Sequence, residues 1–334
     1  MLRFIFNSLL ILFLLNTPTI SSEQTLIAFG SCLKQRHPMP ILSAIKRLEP
    51  ELMLMMGDNV YGAFTGSLPR TVRRAYRRQA GNLAAVGWKT PMEAIWDDGD
   101  YGLNDGGADF AHKQKSKDLF LDFWQVPEND RRRKGTGLYH QKIMQTGQGV
   151  VQILFLDTRF FKSPWKKDPS NNPIKRYTPD TTAKTMLGEE QWQWLAKALQ
   201  THADLRLLVS PIQFLPTGHF WECWSMFPRE RQRLMGLLDF LQIKNLIILS
   251  GDRHRAAFYK DTTRGGIELI EVTSSALNAP ASERDEPGPK RLTELYVKEN
   301  FGLVRINWRL KTVSLEIRDL NGRMVYQKIL DNLL

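Results

Sequence analysis

Cysteine is nearly absent from this chain: Cys32 and Cys223 are its two thiols in 334 residues. A disulfide-built scaffold is thereby excluded, although one bridge between the pair stays open. No G-x-S-x-G nucleophile elbow, G-x-x-x-x-G-K-[ST] phosphate loop or H-E-x-x-H zinc helix occurs, which removes three common routes to hydrolysis and nucleotide chemistry. No repeat of fixed period is visible, and no nucleic-acid motif or interleaved aromatic pattern is present, so no nucleic-acid partner is expected.

The longest apolar run sits at the N-terminus, where MLR precedes FIFNSLLILFLLNTPTISS. A short basic start, an apolar stretch of about ten to thirteen residues and small polar residues make the layout of a secretory signal peptide, too short for a membrane span. Residues 1–22 are therefore expected to be a leader cleaved near Ser21 or Ser22, with one domain over 23–334. The expected location is periplasmic or extracellular, or membrane-anchored if the leader is kept.

The rest has a folded protein's composition, 42% hydrophobic and 24% charged, but a net charge of +11. Two clusters carry part of it: Arg70, Arg73, Arg74, Arg77 and Arg78, then Arg131, Arg132, Arg133 and Lys134. Such clusters read either as solvated faces or as collectors of anions such as phosphorylated metabolites and lipid headgroups.

Short apolar runs alternate with helical patterns, an α/β layering. Strands are expected at 25–29, 51–56, 92–95, 150–156, 205–209, 245–249, 267–272, 302–308 and 313–317, several apolar throughout and hence covered on both faces. Helices are expected at 40–48, 69–79, 110–124, 189–200 and 229–242. Two long irregular insertions, 162–186 and 276–291, read as functional rims.

Polar residues follow the strands in order: GSC (Gly30–Cys32), GDNVYG (Gly57–Gly62), WDDGDYGLND (Trp96–Asp105), DTR (Asp157–Arg159), SPIQ (Ser210–Gln213) and SGDRH (Ser250–His254). Each alone is ordinary turn chemistry. Together they would meet, because ligands of open α/β sheets bind beyond the carboxyl ends of the strands. Carboxylates gathered in one cleft repel one another and are costly to bury unpaired, so bound cations are the expected remedy. Asp58, Asp97, Asp98, Asn104, Asp252 and His254 offer hard oxygen and imidazole ligands, and Cys32 and Tyr61 softer anionic ones. More than one ion is expected, from among Ca, Fe, Mn, Mg and Zn. The spacing of Asp98, Asp100 and Asp109 mimics a calcium loop, but Leu103 stands where that loop needs glycine. Two ions with an arginine nearby suit phosphoester hydrolysis.

With these residues in place, the chain resembles the alkaline phosphatase D-like (PhoD-like) family of metallophosphoesterases. The likeness runs in order through FGSC, MMGDNVYG, IWDDGDYGLNDGG, LDTRFF, MLGEEQWQWL, SPIQF, SGDRH and TSSALN. It implies a four-layer α/β sandwich of two mixed sheets between helices. It further implies Asp58 as the carboxylate shared between metals, Asp252 and His254 as the closing ligand motif, Cys32 and Tyr61 as iron-type ligands, and Asp98 and Asn104 as further metal positions. Asp97 reads as supporting. Arg159 and His254 are the expected catalytic side chains, Arg159 countering charge on phosphoryl oxygens. One departure stands out: family members commonly read DDHD where this chain has Gly99, so the general acid is missing, and His219 or Tyr101 is the expected substitute. Trp221 and Trp224 read either as core packing or as a substrate wall. The expected function is an exported metal-dependent phosphoesterase acting on a phosphate ester, with anionic lipid or an envelope polymer as a further partner. The alternative is a metal-containing binder that has lost the acid.

Overall fold

Val151, Ile153 and Phe155 face one apolar core, while Leu154 and Leu156, between and after them, face another. Side chains alternate across a strand, so this segment has a core on each side. Leu207 and Leu208, Leu249 and Ile248, and Val272 and Leu269 divide in the same way. The computed structural model describes residues 23–62, 69–170, 172, 175–281, 288–331 and 333–334. The expected leader lies outside these residues.

Two six-stranded mixed sheets form. The first contains β1 (Gln24–Gly30), β2 (Leu52–Met56), β3 (Met92–Ile95), β10 (Asn300–Asn307), β11 (Thr312–Asp319) and β12 (Met324–Asp331), in the order β12-β11-β10-β1-β2-β3. The second contains β4 (His140–Gln145), β5 (Val150–Phe155), β6 (Leu205–Ser210), β7 (Leu246–Ser250), β8 (Ala256–Thr262) and β9 (Glu268–Ser274), in the order β4-β5-β6-β7-β9-β8. The first core joins the facing sheets to α1 (Pro40–Lys46), α2 (Pro69–Val86) and α4 (Lys113–Phe123). The second lies between the second sheet and α6 (Gly188–Ala198) and α7 (Pro228–Phe240). This is the expected sandwich, with helices flanking both sheets.

Three strands escaped the sequence reading: β4, β8 and β12. All are edge strands, so none carries the unbroken apolar signature of a strand covered on both faces. Two one-turn helices also escaped, α3 (Asp98–Tyr101) and α5 (Arg131–Lys134). Helix α2 runs on past Gln79 to Val86 and ends at Gly87, whose φ of +61° suits a left-handed stop. Cys32 and Cys223 are both free and buried, so the bridge left open by the sequence does not exist.

Candidate metal centre

The parallel strands β1, β2, β3 and β5, β6, β7 point their carboxyl ends at one crevice, and the turns that follow fill it. These turns are tight. Cys32, Asp58, Asp105, Asp252 and His254 all have positive φ, between 51° and 68°, a conformation that side chains other than glycine's adopt only when the surroundings impose it.

Within the crevice, single ligand atoms of Cys32, Asp58 and His254 lie within 4.8 Å of one another, as do those of Asp58, Asp97 and Asp98, and those of Asp98, Asp105 and Glu222. Asp58 is common to the first two groups and Asp98 to the last two. The Cys32 thiol donates to Asp58 Oδ2 at 3.7 Å, and Tyr61 Oη lies 3.4 Å from His254 Nε2. The His254 Nδ1–H donates to the Ala279 carbonyl, which leaves Nε2 with its lone pair towards the crevice. Asn104, next to Asp105 in the chain, is partly buried. Asp252 stands outside the three groups, yet within electrostatic reach of Glu222 and Asp98.

The electrostatics are those of a site built for cations. Burial, then the nearby charge of Asp98, pushes Asp58 well above the usual carboxylate range. Burial raises Asp97 as well, outweighing the pull of Arg159. Burial and Glu222 push Asp105 up to about 8, and burial and Glu222 push Asp252 up to about 7. Burial pushes the Cys32 thiol up to about 12. Asp97 Oδ2 is buried with no hydrogen-bond partner among the described residues, an orphan that a bound ion would satisfy. The donor set of carboxylates, imidazole, thiol and phenol therefore fits metal ions.

A second layer holds the turn in place. Asp100 accepts from the Asn59 and Asp97 backbone N–H groups at 3.1 Å each and from Tyr76 Oη at 2.9 Å. Arg159 belongs to this layer, contrary to its expected role. Its side chain is sealed from solvent, with Nε on Asp97 at 2.5 Å and its two terminal nitrogens on Glu222 at 2.7 and 2.8 Å. A guanidinium used in this way positions Asp97 and does not face a phosphoryl group.

Gly99 is more than a missing histidine. Its N–H donates to Asp58 Oδ1 at 2.9 Å, and a Cβ there would stand 2.6 Å from both Asp58 Oδ1 and the Val60 carbonyl oxygen. Nor does Tyr101 substitute: it is fully buried, with its hydroxyl on the Gly107 carbonyl at 2.7 Å. Trp224 is a core residue, bonded to Ser210 and packed on Phe214, not part of a wall. Trp221 is partly exposed, with Arg176 and Arg253 each 5.6 Å from its ring. His219 is buried in the same segment, 4% exposed.

Sequence reasoning missed Glu222, Asp105 and Lys34. Glu222 left a signal as the one acid in GHFWECW, and Asp105 as the last acid of the quoted turn. Lys34 left none. Asn278 holds its backbone, accepting from the N–H at 2.7 Å, and its ammonium sits 5.2 Å from the Tyr61 ring centroid; burial first, and this ammonium to a lesser degree, lower the affinity of His254 for a proton. From the irregular 162–186 segment, Trp165 donates to Glu222 at 2.5 Å, and Tyr177 to Asp105.

The family model described as PhoD-like phosphatase matches residues 70–316. The chain belongs to this family. A curated relative, alkaline phosphatase D of Bacillus subtilis (strain 168), is 24% identical over 72% of this chain and 47% of its own length. The chain thus spans about half the length of that relative. Among solved structures, PhoD aligns with a TM-score of 0.70 at 16% identity, covering 92% of this chain and 72% of the other. A purple acid phosphatase from yellow lupin (Lupinus luteus) seeds aligns at 0.61 and 12%, over 92% and 54% of the two chains. GAP50, the anchor in the inner membrane complex of Plasmodium, aligns at 0.60 and 13%, over 92% and 89%. At these identities the structures share the fold with this PhoD-like chain.

Proposed function

We propose that this PhoD-like chain is a metal-dependent phosphoesterase. The observation that carries the reading is the buried convergence of Asp58, Asp97 and Asp98, joined through Asp58 to Cys32 and His254. Ions held by Cys32, Asp58, Tyr61, Asp97, Asp98, Asn104, Asp252 and His254 would supply Lewis-acid polarisation of a phosphoryl oxygen and a lowered pKa for attacking water. The chain's own residues do the rest. Arg159 and Asp100 keep the aspartate turn rigid, so the ligands need no reordering as charge develops. Lys34, with an ammonium that makes no ion pair among the described residues, replaces Arg159 as the cation for phosphoryl oxygens. No acid stands at Gly99, so the preferred esters are those whose leaving group departs unassisted, aryl before alkyl. Residues 1–22 are the proposed secretory leader, which N-terminal sequencing of the exported protein tests directly.

Asp58→Asn and Asp252→Asn should each reduce hydrolysis of an aryl phosphate monoester or diester by about 10²–10³-fold, the usual scale for losing a central charge-stabilising group. Unchanged turnover in both would defeat the proposal. The crowding at Gly99 favours a second reading, a metal-containing binder of phosphorylated envelope ligands. Calorimetric binding of inorganic phosphate with no turnover of either aryl ester would establish it. Gly99→His is expected to gain nothing, because its Cβ would displace the Asp58 carboxylate.

A further inference from the structure

The two basic clusters have different fates. In α5, Arg131 stacks over the Tyr139 ring at 4.2 Å, Arg132 pairs with Asp130 at 2.9 Å, and Arg133 pairs with Asp122 at 2.6 Å. The three arginines of that cluster are absorbed by the fold. In α2, by contrast, Arg70, Arg73, Arg74, Arg77 and Arg78 are all exposed, and none forms an ion pair or hydrogen bond among the described residues.

The helix is sorted by its own period. Val72, Ala75, Tyr76 and Gln79 are buried, and at about 100° per residue the five arginines fall on the opposite side. The sequence of α2 contains no acidic residue. Arg70 to Arg78 span only about 12 Å at 1.5 Å per residue. Five uncompensated guanidinium groups on one convex face do not line the crevice beneath the helix. They match a flat array of anions laid over it, and guanidinium forks suit phosphate oxygens. Beyond the arginines the exposed positions are Thr71, Ala80, Gly81, Ala84 and Ala85, too small to insert into hydrocarbon.

We propose that the outer face of α2 docks this protein, by charge alone, on an anionic phospholipid surface. The helix lies directly on the candidate site: Val72 Cγ2 would meet a Cβ at Gly62 at 2.4 Å, and Tyr76 bonds Asp100 at 2.9 Å. Docking therefore holds the aspartate turn about one helix diameter, ~10 Å, from the lipid headgroups. The inference goes beyond the hydrolytic reading and does not depend on it.

The test is sedimentation of the full chain with phosphatidylcholine vesicles and with vesicles that also contain phosphatidylglycerol. Any contribution of the apolar N-terminal run is common to both. The chain is expected to partition more strongly onto the anionic vesicles, and to lose that excess in ~1 M salt, where screening acts within about 3 Å. The R73Q/R74Q/R77Q variant should lose about 100-fold of the excess, at roughly fivefold per arginine, with hydrolysis of a soluble aryl ester unchanged. Equal partition onto both vesicles, a salt-resistant excess or an unaffected variant would each overturn the proposal. So would retention on duplex DNA without partition onto anionic vesicles, which would assign the face to nucleic acid.

Discussion

Asp58 and Glu271 are both almost sealed from solvent, at 3% and 0% exposure, yet they are treated in opposite ways. Glu271, on β9, accepts from the Phe214 and Leu215 backbone N–H groups and from Ser250 Oγ, at 3.1, 2.5 and 2.5 Å. It is completed by the chain itself, and in return it fixes the segment after β6 and the end of β7. Asp58 receives Gly99 N–H and the Cys32 thiol, but it faces Asp97 and Asp98. A buried carboxylate given neutral donors braces a fold, whereas one given further carboxylates stores a demand for cations.

Arg159 offers the sharpest way to break this comparison, because it is the buried cation that pairs with both Asp97 and Glu222. Arg159→Met should leave Asp97 without its cation and Glu222 with only the charge of Lys162 nearby, and destabilise the fold by about 3–5 kcal/mol in urea unfolding. A loss under ~1 kcal/mol, within the range of an exposed pair, would mean that the crevice tolerates its negative charge without help.

Metal addition comes next in size. A divalent ion at a hundredfold excess over its Kd should stabilise the folded chain by about 2.7 kcal/mol. Asp58→Asn should remove most of that gain, whereas Glu271→Gln should keep it. Thermal unfolding with and without chelator measures both. Equal gains in the two variants would erase the distinction between a site that awaits cations and one that does not.

How much of this was legible in the sequence follows from where each residue sits. Asp58, Asp98, Asp252 and His254 stand directly after apolar strands in Gly-Asp or Asp-Gly turns, so period and turn chemistry alone sent them to one crevice. Glu222 and Lys34 arrive on irregular segments, where no periodicity fixes direction, and their approach depends on contacts such as Asn278 with Lys34 that are 244 positions apart. Arg159 shows a different limit. Its position at a strand end was readable, but its partners were not, and the partners decide whether a guanidinium meets substrate or braces an aspartate. The edge strands β4, β8 and β12 were hidden for a related reason: half-exposed strands mix polar and apolar residues much as loops do.

Glu271 supplies the subtlest test. Burial pushes its carboxyl up to about 7, against the pull of Ser250, of the Leu215 and Phe214 N–H groups and of Arg231. The ordinary value in an unfolded chain is near 4.3, so the folded state holds the proton more tightly. Its stabilising contribution is then complete below about pH 4 and is lost as pH rises through about 7, a swing of roughly 4 kcal/mol. Asp100 and Asp252 are also pushed up to about 7, so the slope of the unmodified chain is not that of Glu271 alone. The difference between that chain and Glu271→Gln isolates it. Glutamine should destabilise more at pH 5 than at pH 8, where its penalty should have shrunk or reversed. Urea unfolding curves of the two proteins that stay parallel across this range would show that Glu271 remains ionised, and that its backbone donors serve it as completely as cations are proposed to serve Asp58.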